Sequence, residues 1–362
     1  MTKIHFMYCI SHGFSLRMLT QTDLLGKLSK MGYQIAIICP DINDTTLKKY
    51  SLRYNIILIE YNFKNVWIEK YMYYRKYLLD DVKNNVSLYE KHKFKTRRFW
   101  NNKAEFIISK LMIIFNVIIV KFPVFKKIFR LFEKSIFNSG DLKNILSKND
   151  IKNIVSTYPV SPFEAKILNT SKKLGINTIT HLLSWDNITC KGIFPVLSDY
   201  FIVWGEIMQN ELIQYYNISK NKIFICGVPH FDLHSEKDFQ ANQFYLNNLG
   251  LDFNLPYIFF GMSSSRFSPN EIGIIKYLAK NINSDKYHKK IQLIIRPHPQ
   301  NVQIGTGMED PDWIDQLRSL KSSKVSKRGI NAINRFLNSR ELNQKLTQPR
   351  ITKNSDQEFN SW

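Results

Sequence analysis

Lys3-Ile-His-Phe-Met-Tyr-Cys-Ile10, the turn Ser11-His12-Gly13, a leucine-spaced run ending at Met31-Gly32, and Gln34-Ile-Ala-Ile-Ile-Cys39 before Pro40 decide the fold of this chain. The first and last of these runs are short and apolar and read as buried strands. Between them Leu16, Leu19, Leu24, Leu25 and Leu28 recur at helical spacing, so one helix is predicted over Ser15 to Met31. Gly32 ends it, as a glycine just past a helix usually does. Strand, helix and strand within about forty residues imply a parallel sheet with right-handed crossovers, the α/β class.

Working outward, Tyr54 to Ile59 reads as a third strand. From Asn65 to Asn138 the rhythm changes. That segment is aromatic and basic, with a cationic cluster from Lys91 to Arg98 and a mixed apolar and lysine-bearing stretch from Phe106 to Phe132. It is expected to be a helical insertion in the first lobe. It either packs as a solvated hairpin or docks on an anionic membrane. The α/β rhythm then returns. Strands are predicted at Lys152 to Thr157, Asn177 to Leu183, Asp199 to Trp204, Lys222 to Cys226, Pro256 to Phe260 and Ile291 to Ile295. Helices are predicted at Ser161 to Lys173, Glu206 to Tyr216 and about Asn270 to Lys280. The expected organisation is a Rossmann-like N-terminal lobe over 1–218, with its insertion at 65–138, and a partial Rossmann-like C-terminal lobe over 219–303. A polar helical or disordered tail covers 304–362. Because the strand-helix pattern stops after about Gln303, the second lobe is expected to be incomplete, by truncation or a shift of frame.

Composition narrows the function. With 362 residues and 44% hydrophobic content the chain can bury two ordinary cores. A net charge of +21 raises the question of nucleic acid. Lys, Asn, Ile and Tyr are abundant throughout, however, and no nucleic-acid-binding motif accompanies the charge, so no nucleic-acid partner is expected. An anionic membrane surface is the better use of it. The four cysteines, Cys9, Cys39, Cys190 and Cys226, show neither metal-ligand spacing nor a disulfide framework. Buried reduced thiols and no metal are expected. The apolar stretch from Leu111 to Val120 is too short to span a bilayer, and no signal peptide opens the chain. A cytoplasmic protein, peripheral on the inner face of the membrane, is the expectation.

Five loops at strand ends can carry chemistry, since ligands of open parallel sheets bind there. Ser11-His12-Gly13 with Arg17 opens a helix. His12 either caps the turn or takes a proton from an acceptor hydroxyl, and Arg17 either holds a phosphate or is solvated. Ser184-Trp185-Asp186-Asn187 through Lys191-Gly192 gathers indole, carboxylate, amide and amine after one strand. It is read as a ligand loop, with a self-bonded turn as the plain alternative. Gly227-Val228-Pro229-His230-Phe231-Asp232 is a hinge turn or a cleft contributor. Gly261-Met262-Ser263-Ser264-Ser265-Arg266 can cradle phosphate with backbone N–H and hydroxyl groups, though it is no Walker loop. Arg296-Pro297-His298-Pro299 holds a bidentate donor and an imidazole rigidly at a strand end.

In order and spacing these motifs resemble a bacterial surface-polysaccharide glycosyltransferase of the GT-B type. The stretch from Ser156 to Asp232 carries most of the likeness. Arg296-Pro297-His298-Pro299 is similar to a motif of CDP-glycerol glycerophosphotransferases and capsule-type transferases. The resemblance covers about residues 1 to 303. It implies transfer of a sugar, or a phospho-alcohol, from a nucleotide sugar or CDP-alcohol donor to a glycan or lipid-linked acceptor bound between the lobes. It implies no cofactor beyond the activated donor. His12 or Asp186 would be the base. Arg296 and His298, with Ser263 and Ser264, would stabilise the departing phosphate. Trp185, Asn187, Lys191, Arg17, His230 and Asp232 would contact substrate or line the gap between lobes. A non-hydrolysing nucleotide-sugar epimerase, or an inactive transferase that only binds, are the alternatives.

Overall fold

The apolar runs of the N-terminal part become strands of one all-parallel sheet: β1 Lys3–Cys9, β2 Ile35–Cys39, β3 Ile57–Glu60, β4 Asp150–Ser156, β5 Asn177–His181, β6 Tyr200–Val203 and β7 Ile223–Ile225. Their order is β3-β2-β1-β4-β5-β6-β7. The computed structural model describes residues 3–80, 85–98, 103–235, 251–264, 268, 270–284, 288, 290–298 and 316. Every residue of β2 is buried, as a strand covered on both faces requires. Alternation along the strands then divides the side chains. Tyr8, Ile35 and Ile37 join a core with Leu19, Leu25 and Tyr50 on one face. Met7, Cys9, Ala36 and Ile38 join Leu142, Phe163 and Ile167 on the other.

The single helix expected over Ser15 to Met31 is two, α1 Gly13–Gln21 and α2 Leu24–Lys30. The Thr22 hydroxyl donates back to the Met18 carbonyl at 2.7 Å, and Asp23 adopts φ 52°. This break brings Gly26 against the next helix, α3 Thr45–Tyr54. A Cβ at Gly26 would lie 2.6 Å from the Tyr54 ring, and its N–H donates to the Tyr50 hydroxyl at 3.2 Å. Leucine periodicity continues across the junction, which is why the break is not visible in the pattern.

Between β3 and β4 the described residues are helical: α4 Val66–Leu79, α5 Val86–Arg98, α6 Lys103–Lys121, α7 Pro123–Ile136 and α8 Gly140–Ser147. After β4 come α9 Pro162–Lys173, the short α10 Asp186–Thr189, α11 Glu206–Tyr216 and α12 Pro229–Ser235. Two polar anchors fix the insertion. The buried Asn116 amide on α6 donates to the carbonyls of Leu78 and Asp80 at 2.9 and 2.8 Å. Arg75 on α4 pairs with Glu133 on α7.

The chain divides into two units, Met1–Lys237 and Asp238–Trp362. The strand expected to open a second lobe near residue 219 is therefore β7, the edge of the first sheet, paired with β6 from Phe201↔Ile223 to Val203↔Ile225. A short apolar run shows that a strand forms, not which sheet it joins. In the second unit β8 Tyr257–Gly261 and β9 Gln292–Arg296 pair in parallel, with the helix Glu271–Asn283 between them in sequence. Of the expected tail at 304–362, only residue 316 falls among the described residues.

Candidate functional site

In the order β3-β2-β1-β4-β5-β6-β7 the chain leaves β1 in opposite directions, so the crevice beyond the carboxyl ends of β1 and β4 is the switch point where open α/β sheets bind ligands. Ser11 and His12 follow β1, and Thr157 and Tyr158 follow β4. The strands are held in register there by the Cys9↔Ser156 pairing and by the Thr157 hydroxyl, which donates to the Cys9 carbonyl at 2.8 Å.

Glu164 organises this crevice from below. Its carboxylate is wholly buried in the first turn of α9. It accepts from the hydroxyls of Ser11 and Ser156, both at 2.6 Å, and from the backbone N–H groups of Thr157 and Tyr158 at 2.8 and 2.7 Å. Burial pushes its carboxyl above the ordinary carboxylate range, against the opposing pull of these donors. Neither Glu164 nor Tyr158 was among the site residues expected from sequence. The usable signal was Ser161-Pro162 opening a helix with an acid two residues on.

His12 is the N-cap of α1. Its Nδ1 accepts the Ser15 backbone N–H at 3.1 Å. An N–H can only donate, so Nδ1 carries no proton and the neutral ring bears its hydrogen on Nε2. With Nδ1 engaged by this cap, Nε2 is the ring nitrogen left to face a substrate. It lies against Tyr158, ring centroids 4.4 Å apart. Burial raises the Tyr158 phenol, with Lys191 lowering it and Asp186 raising it, so all three groups share one field. Arg17 is exposed, its guanidinium over the exposed Phe14 ring at 5.6 Å.

Asp186 stands on the loop after β5. It accepts from the Ser184 hydroxyl at 2.5 Å and pairs with Lys191 at 3.1 Å. Burial lowers the Lys191 ammonium, but Asp186 outweighs that and the net direction is up. Trp185 beside it is 61% exposed, a free indole face. Asn187 is 3% exposed, so its side chain is packed inside rather than offered to a substrate, a correction to the expected contact. The loop's backbone is held by the scaffold. Tyr216 donates to the carbonyls of Ile188 and Gly192 at 3.3 Å each, Asn85 to that of Thr189 at 3.2 Å, and Arg75 to that of Ile193. Asp80 accepts the Ile193 N–H at 2.8 Å. Gly192, at φ 102°, sits where a Cβ would lie 3.2 Å from the Lys76 Cβ and 3.4 Å from the Asp80 carboxylate. Such a loop is fixed before any ligand arrives.

His230 and Asp232 lie on α12, which follows β7 and packs near α1. Asp232 is exposed and His230 partly buried. In the second unit, Gly261 pairs with Arg296, so Ser263, Ser264, Arg296 and His298 share the carboxyl ends of two adjacent strands. The backbone cradle expected at Ser263 is already filled. Its N–H donates to both oxygens of Glu271, at 3.1 and 2.9 Å. Ser264 is buried and Arg296 exposed. Ser265, Arg266 and Pro299 lie outside the described residues. Among the described residues no cluster of His, Cys, Asp or Glu is placed to hold a metal ion.

No protein-family model and no curated protein matches the chain. Several solved structures are similar in fold. A glycosyltransferase from Rickettsia africae ESF-5 superposes with a TM-score of 0.46 at 11% identity, over 91% of this chain and 70% of that one. The S. aureus MnaA–UDP co-structure gives 0.48 at 8%, over 92% and 72%. A UDP-GlcNAc 2-epimerase from Methanocaldococcus jannaschii, in complex with UDP-GlcNAc and UDP, gives 0.44 at 13%, over 92% and 76%. The strand order itself, rather than these scores, defines the α/β class of this chain.

Proposed function

We propose that the chain is a glycosyltransferase, moving a sugar or phospho-alcohol from a nucleotide-activated donor to a hydroxyl of a glycan or lipid-linked acceptor in cell-surface polysaccharide synthesis. The observation that carries this reading is the rigid loop Ser184 to Gly192 beside the switch point, which presents an oriented carboxylate next to an exposed indole. Sugars stack on indole faces, and a hydroxyl acceptor needs a positioned carboxylate. Asp186 takes the proton of the acceptor hydroxyl as its oxygen forms the new bond. The bond from the transferred group to the leaving phosphate breaks, and the nucleotide departs with that electron pair. Ser184 and Lys191 orient Asp186, and the Nε2–H of His12 holds a substrate oxygen. The second unit by itself carries Arg296 and His298, a cation and a donor of the kind that recognises phosphate, at the carboxyl ends of its paired strands.

The test incubates the full chain with nucleotide sugars and CDP-glycerol, with and without glycan and lipid-linked acceptors, and follows nucleotide release. Acceptor-dependent release is expected, with Asp186→Asn lowering kcat by on the order of 10²–10⁴. Conversion of a nucleotide sugar without acceptor would identify an epimerase instead. No binding of any nucleotide by calorimetry would leave a non-catalytic binding protein.

A further inference from the structure

The outer surface of α6 and α7 is apolar where a protein surface is usually polar. On α6, Ile107, Leu111, Ile114, Phe115 and Ile118 recur at helical spacing and are all exposed, Ile114 by 60%. On α7, Val124, Phe125, Ile128, Leu131 and Phe132 do the same, Leu131 by 65%. The inner faces are spoken for: Asn116 and Ile119 on α6, and Glu133 on α7, are buried. Both helices rest on α4, α6 through Asn116 and α7 through Glu133, so the two stripes lie on the outside of one helical cluster. At the start of α4 the exposed Trp67 stacks on Tyr71 and meets Phe132 edge-on at 6.3 Å, extending the stripe of α7.

Charge says what covers it. Residues 106 to 132 contain five Lys or Arg and no Asp or Glu. Lys110, Lys121, Lys127 and Arg130 are exposed on the same helices. An apolar stripe bordered by cations, with an indole at its margin, matches the interface of an anionic bilayer: acyl chains for the stripe, headgroup phosphates for the cations. No helix among the described residues is long and apolar enough to cross a membrane.

We infer that α6 and α7, with Trp67, seat the first unit in the outer layer of an anionic lipid bilayer. The inference rests on this surface alone and not on the transferase reading. Arg75 gives it a consequence, because it joins α7 through Glu133 to the site loop through Ile193. The anchor and the candidate site are parts of one rigid frame.

The experiment is co-sedimentation of the full chain with vesicles of phosphatidylcholine alone and of phosphatidylcholine mixed equally with phosphatidylglycerol. The chain is expected to pellet with the anionic vesicles, more weakly at high salt, and to stay in solution with the neutral ones. Ile114→Glu with Ile128→Glu, at exposed positions, should weaken partitioning on the order of tenfold or more. Lys121→Gln, Lys127→Gln and Arg130→Gln together should remove the preference for anionic lipid. The blue shift of tryptophan emission on binding should be smaller in Trp67→Phe. The inference is overturned if the native chain pellets with neither vesicle. It is also overturned if the double-glutamate variant, folded by circular dichroism, binds unchanged. If sedimentation velocity shows a dimer that this variant converts to monomer, the face is a self-interface and the inference again fails.

Discussion

Arg75 and Glu133 form an ion pair inside the helical insertion, with side chains 3% and 1% exposed, and the Arg75 guanidinium also donates to the Ile193 carbonyl beside the candidate site. Ionic groups taken this far from water are costly unless every partner is present. Arg75→Met, which leaves Glu133 buried with the Tyr71 hydroxyl but no counter-charge, is expected to cost about 3–5 kcal/mol in chemical denaturation. It should also raise amide exchange across Ser184 to Ile193. Arg75→Met combined with Glu133→Leu should recover much of the stability but not the full protection of the loop, since the Ile193 carbonyl loses the guanidinium that it accepts from.

Glu164 is the acceptor for two hydroxyls and two backbone N–H groups at the switch point. Glu164→Ala leaves the buried ones unsatisfied, at about 1–3 kcal/mol for each orphaned group. A fall in Tm is expected, with the β4–α9 loop losing its fixed conformation. Glu164→Gln keeps one acceptor oxygen and should fall between the two. A Tm unchanged in both variants would mean that water replaces the carboxylate.

Two buried groups make stability depend on mildly acidic pH in opposite senses, so single variants are needed to separate them. Burial raises Asp80 to about 6, so from the ordinary carboxylate range up to that value the folded state holds the proton more tightly than the unfolded chain. Stability from this group is lost as pH rises through about 6. Burial lowers His181 to about 4, so between 6.5 and that value the unfolded chain binds the proton better, and stability is lost as pH falls. Urea midpoints measured from pH 5 to 8 should show Asp80→Asn more stable than the parent above pH 6. His181→Gln should resist acid better than the parent below pH 6.5.

His12 caps α1 through Nδ1. Asn caps helices as well as any residue, whereas Ala does not. His12→Ala should therefore cost about 1 kcal/mol in urea denaturation and His12→Asn close to nothing. If the two variants are equally destabilised, the cap is not what holds this turn.

The parallel α/β class was legible because β-strand runs such as Ile35 to Cys39 are buried on both faces and so carry no polar alternation to confuse them. The loops with chemistry were legible too, since His12, Asp186 and Arg296 stand directly after predicted strands. Glu164 was not, because an acid in the first turn of a helix is commonplace in sequence. Only the meeting of β1 and β4 makes four donors converge on it. The ring tautomer of His12 was equally hidden, since it depends on where the Ser15 N–H points.

By itself the sequence determined local facts: which runs are apolar enough to be strands, where glycine and proline end them, and which segment is basic without acids. Those follow from composition and spacing along the chain. Tertiary structure decided that β7 closes the first sheet rather than opening a second and that Asn187 is buried while Trp185 is exposed. It also tied the apolar helix α7 to the site loop through Arg75. Each of these depends on residues distant in sequence meeting in a dry interior, where an unpaired polar group is costly enough to dictate its partner.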